Sequence, residues 1–180
     1  MNNRTDAPEK FEVAIVGAGF AGVCMAIELK EAGINDFVML ERGESAGGTW
    51  RENTYPGCAC DVPSHLYSYS FRLNREWSEV FPPWQEIRDY IGDCIRHYGL
   101  EPHLRLRTSV EEMRFDGQCG FWELALSDGQ RIRARFVVAG TGPLTKPHLP
   151  EIAGLKKFRG ARGLTDALRH RQKRLSVAPI

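Results

Sequence analysis

A glycine-rich turn near the start of the chain constrains the fold more than any other feature of the sequence. The spacing G-x-G-x-x-G is met at residues 17–22, directly after a β-branched apolar run at residues 11–16. Residues 20–32 have the composition of a helix, and residues 36–41 form a second apolar run. A strand, a helix and a strand within about 30 residues is the size of one βαβ unit. Such a unit predicts a parallel sheet with a right-handed crossover.

The residues of this turn match the requirements of a dinucleotide-binding site. Gly17 allows the tight turn, Gly19 lets the backbone approach a pyrophosphate without a Cβ, and Gly22 lets the helix and strand pack closely. The helix N-terminus offers free N–H groups and a positive dipole end to the phosphates. Glu41, at the end of the second strand, can accept hydrogen bonds from a ribose diol, which favours FAD or NAD over NADP here. The alternative is a glycine-rich turn that binds nothing.

The remaining pattern predicts the architecture around this unit. Residues 43–83 are rich in Gly, Pro, Ser, Tyr and Trp without periodicity, which is typical of a functional loop. Residues 84–98 carry one apolar stripe and are predicted to form a helix. Strand-like alternation over 104–139 becomes continuously apolar at Phe136–Ala139, as expected where a strand leaves a half-exposed meander and enters a buried parallel sheet. The predicted fold is a three-layered α/β, Rossmann-like domain: a parallel sheet with helices plus a small β-meander at about 108–135.

Composition excludes several other classes of protein. The 180-residue chain is 42% apolar and 26% charged, as in ordinary globular domains, and no apolar run is long enough to span a bilayer. The polar start, Met1 to Lys10, has no apolar signal-peptide core. Five cysteines without a disulfide spacing predict a reducing compartment, the cytoplasm. Cys58 and Cys60 lack a recurrent zinc spacing, so free thiols are favoured and no metal site is predicted.

The charge distribution separates the C-terminal end from the rest of the chain. Residues 156–180 hold eight Lys and Arg and one Asp, whereas the net charge of the whole chain is only +1. Basic segments can bind nucleic acid or an anionic membrane, but this one lacks interleaved aromatic residues, so neither partner is predicted. The predicted organisation is a disordered N-terminus at 1–10, one domain at 11–160 and a poorly ordered basic tail at 161–180.

A second signature lies in the aromatic loop. Residues 47–50 read Gly-Gly-Thr-Trp. Tyr55-Pro56-Gly57 follow after four intervening residues, and Asp61 follows after three more. This pattern strongly resembles the flavoprotein monooxygenases of the Baeyer–Villiger type. Their N-terminal signature is a small residue, Gly, any residue, Trp, four residues, an aromatic residue, Pro, Gly, three residues and Asp. Every fixed position is met, and the resemblance covers about residues 10–160.

The resemblance implies a role for each segment. The Rossmann unit would bind the ADP half of FAD, Thr49 and Trp50 would border the isoalloxazine, and Asp61 would be the catalytic acid near the flavin and the nicotinamide. From the residues alone, Asp61 could equally cap a turn, and the loop aromatics Tyr55 and Tyr69 could be packing residues. The residues that the resemblance and the turn chemistry together assign to the cofactor are Gly17, Gly19, Phe20, Ala21, Gly22, Glu41, Gly48, Thr49, Trp50, Asp61, Tyr67, Val110, Thr141 and Gly142.

The activity implied is that of an NADPH-dependent monooxygenase. The resemblance implies oxygen insertion next to a ketone or oxygenation of a heteroatom, with a small-molecule substrate and O2 as partners and NADP as the second cofactor of the complete enzyme. One alternative is a non-catalytic flavin-binding fragment. Another is an NAD-binding Rossmann protein, which the loop signature disfavours.

The chain departs from the family pattern in two places. It has no second G-x-G-x-x-G for NADPH. The family pattern Phe-x-Gly-x-x-x-His-x-x-x-Trp begins with Phe158 and Gly160, but Leu164 and Leu168 stand at the His and Trp positions. We therefore expect a truncated or frameshifted product, with the change after about residue 160, that is inactive as an isolated 180-residue polypeptide.

Overall fold

The computed structural model describes residues 7–144, 151–157 and 159. The strands are β1 Glu9–Val16, β2 Phe37–Leu40, β3 Leu104–Arg105, β4 Val110–Asp116, β5 Phe121–Leu126 and β6 Arg131–Ala139. The α-helices are α1 Phe20–Glu31, α2 Thr49–Glu52 and α3 Trp84–His97. Three-residue 3-10 helices lie at Ser64–Leu66, Glu101–His103 and Leu155–Lys157. No helix in these ranges is long and apolar enough to cross a membrane.

All six strands form one mixed sheet in the order β3-β2-β1-β6-β5-β4. The first four strands of that order run parallel, whereas β5 pairs antiparallel with both β6 and β4. The fold predicted from the sequence is confirmed: a parallel sheet with helices, extended by a β-meander. Val16 and Ala139 are partners at the ends of β1 and β6, so the glycine turns that follow both strands meet at the same edge of the sheet.

The bounds of the predicted elements shift by one or two residues. The first strand begins at Glu9, inside the segment predicted to be disordered, while residues 1–6 and 161–180 lie outside the described part. The first helix ends at Glu31, and Ala32 is its C-cap residue, whose amide donates to the carbonyl of Glu28. Helix α3 ends at His97. The loop 43–83 contains two short helical turns, at α2 and at Ser64–Leu66.

The apolar end of β6 is not buried as predicted. β6 pairs with β1 from Ile132 to Ala139, but with β5 only over residues 131–134. Phe136 is 53% exposed and Ala139 is exposed. The continuous apolar run indicated a strand covered on both faces. Among the residues that the structure describes, β6 pairs beyond residue 134 with β1 alone. An apolar run carries no information about which elements cover its side chains.

Two apolar clusters hold the layers together. One lies between the sheet and the helices, and it contains the predicted stripe of α3, with Ile87, Ile91 and Cys94 fully buried. The other joins alternate residues of the parallel strands to the meander, for example Ala14 and Leu124. A buried branched side chain contributes about 1.5–3 kcal/mol. This packing fixes α1 and the C-terminal ends of β1, β2 and β6 around one groove.

Candidate dinucleotide-binding site

The glycine turn after β1 is closed by contacts that leave no room for side chains. Gly17 has φ +101°, and a Cβ there would lie 2.6 Å from the carbonyl oxygen of Gly140, in the turn after β6. A Cβ on Gly22 would lie 1.9 Å from the carbonyl oxygen of Gly17. The sequence interpretation of Gly17 as the tight turn and of Gly22 as the point of close helix–strand packing agrees with this geometry.

The turn after β1 also packs against the Gly-Gly-Thr-Trp turn. The amide of Gly47 donates to the carbonyl of Ala18 at 2.9 Å. A Cβ on Gly48 would lie 2.9 Å from the Cα of Gly19, and one on Gly19 would lie 3.3 Å from the Cα of Gly48. Gly19 is therefore constrained by a neighbouring backbone, besides any constraint from a bound phosphate. The contact fixes the two sequence signatures relative to each other.

The N-terminus of α1 opens into the groove without a side-chain cap. Its N-cap is Gly19, and the first turn of the helix carries no acidic residue. The first intrahelical bond runs from the amide of Val23 to the carbonyl of Gly19, so the amides before Val23 have no acceptor within the helix. Phe20 and Ala21 line the groove. Free amides and a positive dipole end form an anion site of the kind that binds a pyrophosphate.

Glu41 follows β2 and is buried, with 4% of its surface exposed. Its Oε2 accepts the amide of Ala18 at 2.9 Å, and its Oε1 accepts the amide of Gly43 at 2.8 Å. The guanidinium of Arg51, on α2, lies 3.0 Å from Oε1. A buried carboxylate is tolerated because these donors compensate its lost hydration. The acid is thus held at the groove by the turn after β1, by Gly43 and by α2.

The groove has a volume of about 690 Å³, within the range of small-molecule sites. It runs along the carboxyl edge of β1, β2 and β6, past α2, to the start of β4. The residues assigned to the cofactor from the sequence that line this groove are Gly17, Gly19, Phe20, Ala21, Glu41, Gly48, Thr49, Trp50, Tyr67, Val110, Thr141 and Gly142.

Gly22 and Asp61 do not line the groove. Gly22 is buried beneath the turn, where it has the packing role described above. Asp61 is exposed, next to the buried Cys60, whose Sγ accepts the amide of Val62 at 3.4 Å. The groove forms without the Asp61 carboxylate. The catalytic role of Asp61 remains a prediction from the resemblance.

The loop aromatics divide into a wall of the groove and a support behind it. Trp50 and Tyr67 line the groove, and the Nε1 of Trp50 donates to the Tyr67 hydroxyl at 3.0 Å. Burial raises the pKa of Tyr67, against a smaller lowering by the Trp50 hydrogen bond. Tyr69 is buried, and its hydroxyl donates to the carbonyl of Phe20 at 2.8 Å, at the first residue of α1. Tyr55 does not line the groove either, so the packing interpretation fits both Tyr55 and Tyr69.

Sequence reasoning missed several groove residues. Arg51 stands next to Trp50 in the signature, but no spacing rule pairs it with Glu41. Thr108 is buried, its amide donates to the carbonyl of Glu41 at 2.9 Å, and it lines the groove with Ser109. These residues precede β4 and carry no motif. Their place depends on the parallel pairing of β3 with β2, because the segment that follows β3 then reaches Glu41 at the end of β2.

The cysteines give no indication of a metal centre. Cys58 and Cys60 are buried, Cys94 is buried on α3, and all five cysteines of the chain are free thiols. Burial raises the pKa of Cys60, which makes it a poor thiolate at neutral pH. Within the described ranges no three His, Cys, Asp or Glu side chains come together to hold a metal ion.

The fold and the position of the groove are those of a Rossmann-like domain. A family model described as an NAD(P)-binding Rossmann-like domain matches residues 15–82. A Baeyer–Villiger monooxygenase from Streptomyces coelicolor is 48% identical over 160 residues, covering 89% of this chain and 31% of that protein. The chain is homologous to Baeyer–Villiger monooxygenases, as the loop signature predicts, and the match is consistent with their N-terminal part.

Solved structures give the same relation. The closed crystal structure of cyclohexanone monooxygenase has a TM-score of 0.78 and 30% identity, covering 89% of this chain and 31% of that chain. The crystal structure of OTEMO in complex with FAD and NADP has a TM-score of 0.74 and 32% identity, covering 83% of this chain and 29% of that chain. The chain spans about 30% of the length of the relatives that it matches.

Proposed function

We propose that the groove binds FAD, and that this chain forms the FAD-binding domain of an NADPH-dependent monooxygenase of the Baeyer–Villiger type. The observation that carries the proposal is the joining of two signatures in one groove. The turn at residues 17–22 and the turn at 47–48 contact each other through backbone, and together they place an anion site, a buried acid and an aromatic wall along about 690 Å³. An extended dinucleotide needs all three.

The residues of the groove fit FAD in one orientation. The free amides at the start of α1 suit the pyrophosphate, and Glu41 suits the hydroxyls of the adenosine ribose. Thr49, Trp50 and Tyr67 then lie toward the isoalloxazine end, where a flat apolar wall is needed. When bound, FAD supplies the redox chemistry with NADPH and O2, and the protein supplies binding, orientation and exclusion of water.

The remaining parts of the proposal follow from the family. The substrate would be a small-molecule ketone or a compound with an oxidisable heteroatom, NADP would be the second cofactor, and Asp61 would act near the flavin. The five free cysteines support a reducing compartment, and we propose the cytoplasm.

The cofactor is tested by the visible spectrum of the purified protein. We expect flavin absorbance after reconstitution with FAD and gel filtration, with one FAD released per chain on denaturation. FMN should be retained much more weakly, because it lacks the AMP part of FAD, with the second phosphate and the adenosine ribose that the turn and Glu41 would bind. Retention of NAD without any flavin would support a plain NAD-binding Rossmann protein instead.

A polypeptide of these 180 residues, by itself, is expected not to sustain NADPH-driven oxygenation. Hydride transfer needs the nicotinamide held against the flavin at reacting distance. The sequence carries one G-x-G-x-x-G turn, which FAD takes in this proposal. The assay supplies FAD, NADPH and a panel of ketones and sulfides, and measures ester, sulfoxide and hydrogen peroxide. We expect peroxide at most. Product at about one turnover per second, an ordinary enzyme rate, would mean that self-association or a partner completes the site.

A further inference from the structure

Arg51 connects the glycine-rich segment after β2 to the helical turn α2. Its Nη1 lies 3.0 Å from the Oε1 of Glu41 and donates to the carbonyl of Ser45 at 2.9 Å. Its Nη2 donates to Glu52, the last residue of α2. The side chain is 12% exposed and lines the groove. Arg51 is therefore a nearly buried cation that fixes the position of the buried acid.

Gly43 makes room for this cation. A Cβ built on Gly43 would lie 1.0 Å from the Nη1 of Arg51 and 1.9 Å from its Cζ. Any residue other than glycine would push the guanidinium away from the place where it meets Glu41. The backbone of Gly43 also donates to Glu41, so the glycine and the arginine act on the same carboxylate.

We propose that Arg51 is a positioning residue for Glu41, and that Gly43 is required because it admits the Arg51 guanidinium. Together they aim the carboxylate at the ribose hydroxyls of the bound nucleotide. The inference rests on the proposed function, and it adds the residues that determine recognition of the ribose.

The hydrogen-bond capacity of the carboxylate supports this assignment. A carboxylate has about four acceptor positions. The amides of Ala18 and Gly43 and the guanidinium of Arg51 account for three contacts, which leaves capacity for a ligand hydroxyl in the groove. An Arg–carboxylate pair with fixed geometry holds its partner in one orientation better than a flexible cation does. Without Arg51, the carboxylate keeps only its two backbone donors and loses its fixed direction.

Binding of ADP and of 2′,3′-dideoxy-ADP separates positioning from general stability. ADP carries the two ribose hydroxyls and the dideoxy analogue lacks both. For the wild-type chain we expect ADP to bind at least about tenfold more tightly, the effect of hydrogen bonds to a charged acceptor. In Arg51→Ala the ratio of the affinity for ADP to the affinity for the dideoxy analogue should fall to about threefold or less, while the affinity for the dideoxy analogue changes little. A merely structural role would weaken both ligands and leave the ratio unchanged.

Four further variants sharpen the test. Gly43→Ala keeps both charged residues and displaces only the end of a flexible side chain, so it should lower the ratio as Arg51→Ala does. The two changes combined should have no more effect than either alone. Arg51→Lys should restore the ratio only in part. Arg96→Ala removes an exposed arginine paired with Asp93 on α3, and it should leave the ratio as in the wild type.

The outcomes distinguish this inference from the proposed function. If the wild-type chain binds neither FAD nor ADP, the proposed function fails. If it binds both but the ratio survives in Arg51→Ala and in Gly43→Ala, the positioning role is wrong and FAD binding stands. If Arg51→Ala does not fold, the result for Gly43→Ala decides.

Discussion

Gly22→Ala is expected to abolish FAD retention and to lower the melting temperature. The new Cβ would lie 1.9 Å from the carbonyl oxygen of Gly17 and 3.4 Å from the Cγ2 of Ile15. Because the first clash is with backbone, α1 must move away from β1, and the anion site at its N-terminus moves with it. Overpacking of this kind costs about 1–3 kcal/mol or more. For a chain of this size each kcal/mol lowers the melting temperature by about 2–4 °C.

Gly117→Ala is the matched control for this experiment. Gly117 lies in the turn between β4 and β5, a Cβ there meets nothing within 4 Å, and its φ is not positive. Its melting temperature and its FAD stoichiometry should match the wild type. Unchanged FAD stoichiometry in Gly22→Ala would show that the turn after β1 does not position the cofactor.

Glu41→Ala is expected to weaken FAD binding by about 10- to 150-fold, equivalent to about 1.5–3 kcal/mol for hydrogen bonds to a charged group. The change removes the acceptor for the ribose. It also leaves the amides of Ala18 and Gly43 without their side-chain acceptor, and it removes an acidic partner of Arg51. Quenching of flavin fluorescence during titration of the apoprotein measures the dissociation constant.

The control for the loss of charge is Glu31→Ala, an exposed residue at the end of α1. Its FAD affinity should remain within about twofold of the wild type, as expected for a surface substitution within about 0.5 kcal/mol. A Glu41→Ala chain that binds FAD as tightly as the Glu31→Ala chain would place the ribose elsewhere in the groove.

The parts of the structure that could be predicted are those with a local physical cause. The turn at Gly17 needs a positive φ, and the close contact of Gly22 with Gly17 lies within six residues of sequence, so a spacing pattern carries both. The stripe of α3 is a consequence of helical periodicity. Of its six predicted members, five are buried, and the last, Tyr98, is half-buried at the C-cap of the helix: Ile87, Tyr90, Ile91, Cys94, Ile95 and Tyr98.

The parts that could not be predicted depend on contacts between distant segments. Nothing in the residues around Glu41 indicates that Arg51 lies over Gly43. Nor does the turn after β1 indicate that Gly48 meets Gly19. The apolar run predicted that Phe136 is buried. Phe136 is exposed, because β5 stops pairing with β6 at residue 134. Such features depend on contacts between segments that are distant in sequence or in different elements, which local patterns do not encode.

The pairing of β1 with β6 also has a consequence for biosynthesis. Glu12 and Arg135, which form an exposed ion pair between these strands, are 123 residues apart. At about 5–20 residues per second, a ribosome takes roughly 6–25 s to make the intervening segment. During that time β1 can pair with β2 on one side only, and its other edge stays open in the nascent chain. Open strand edges are templates for aggregation. Chaperone demand during translation should therefore fall sharply once β6 has emerged.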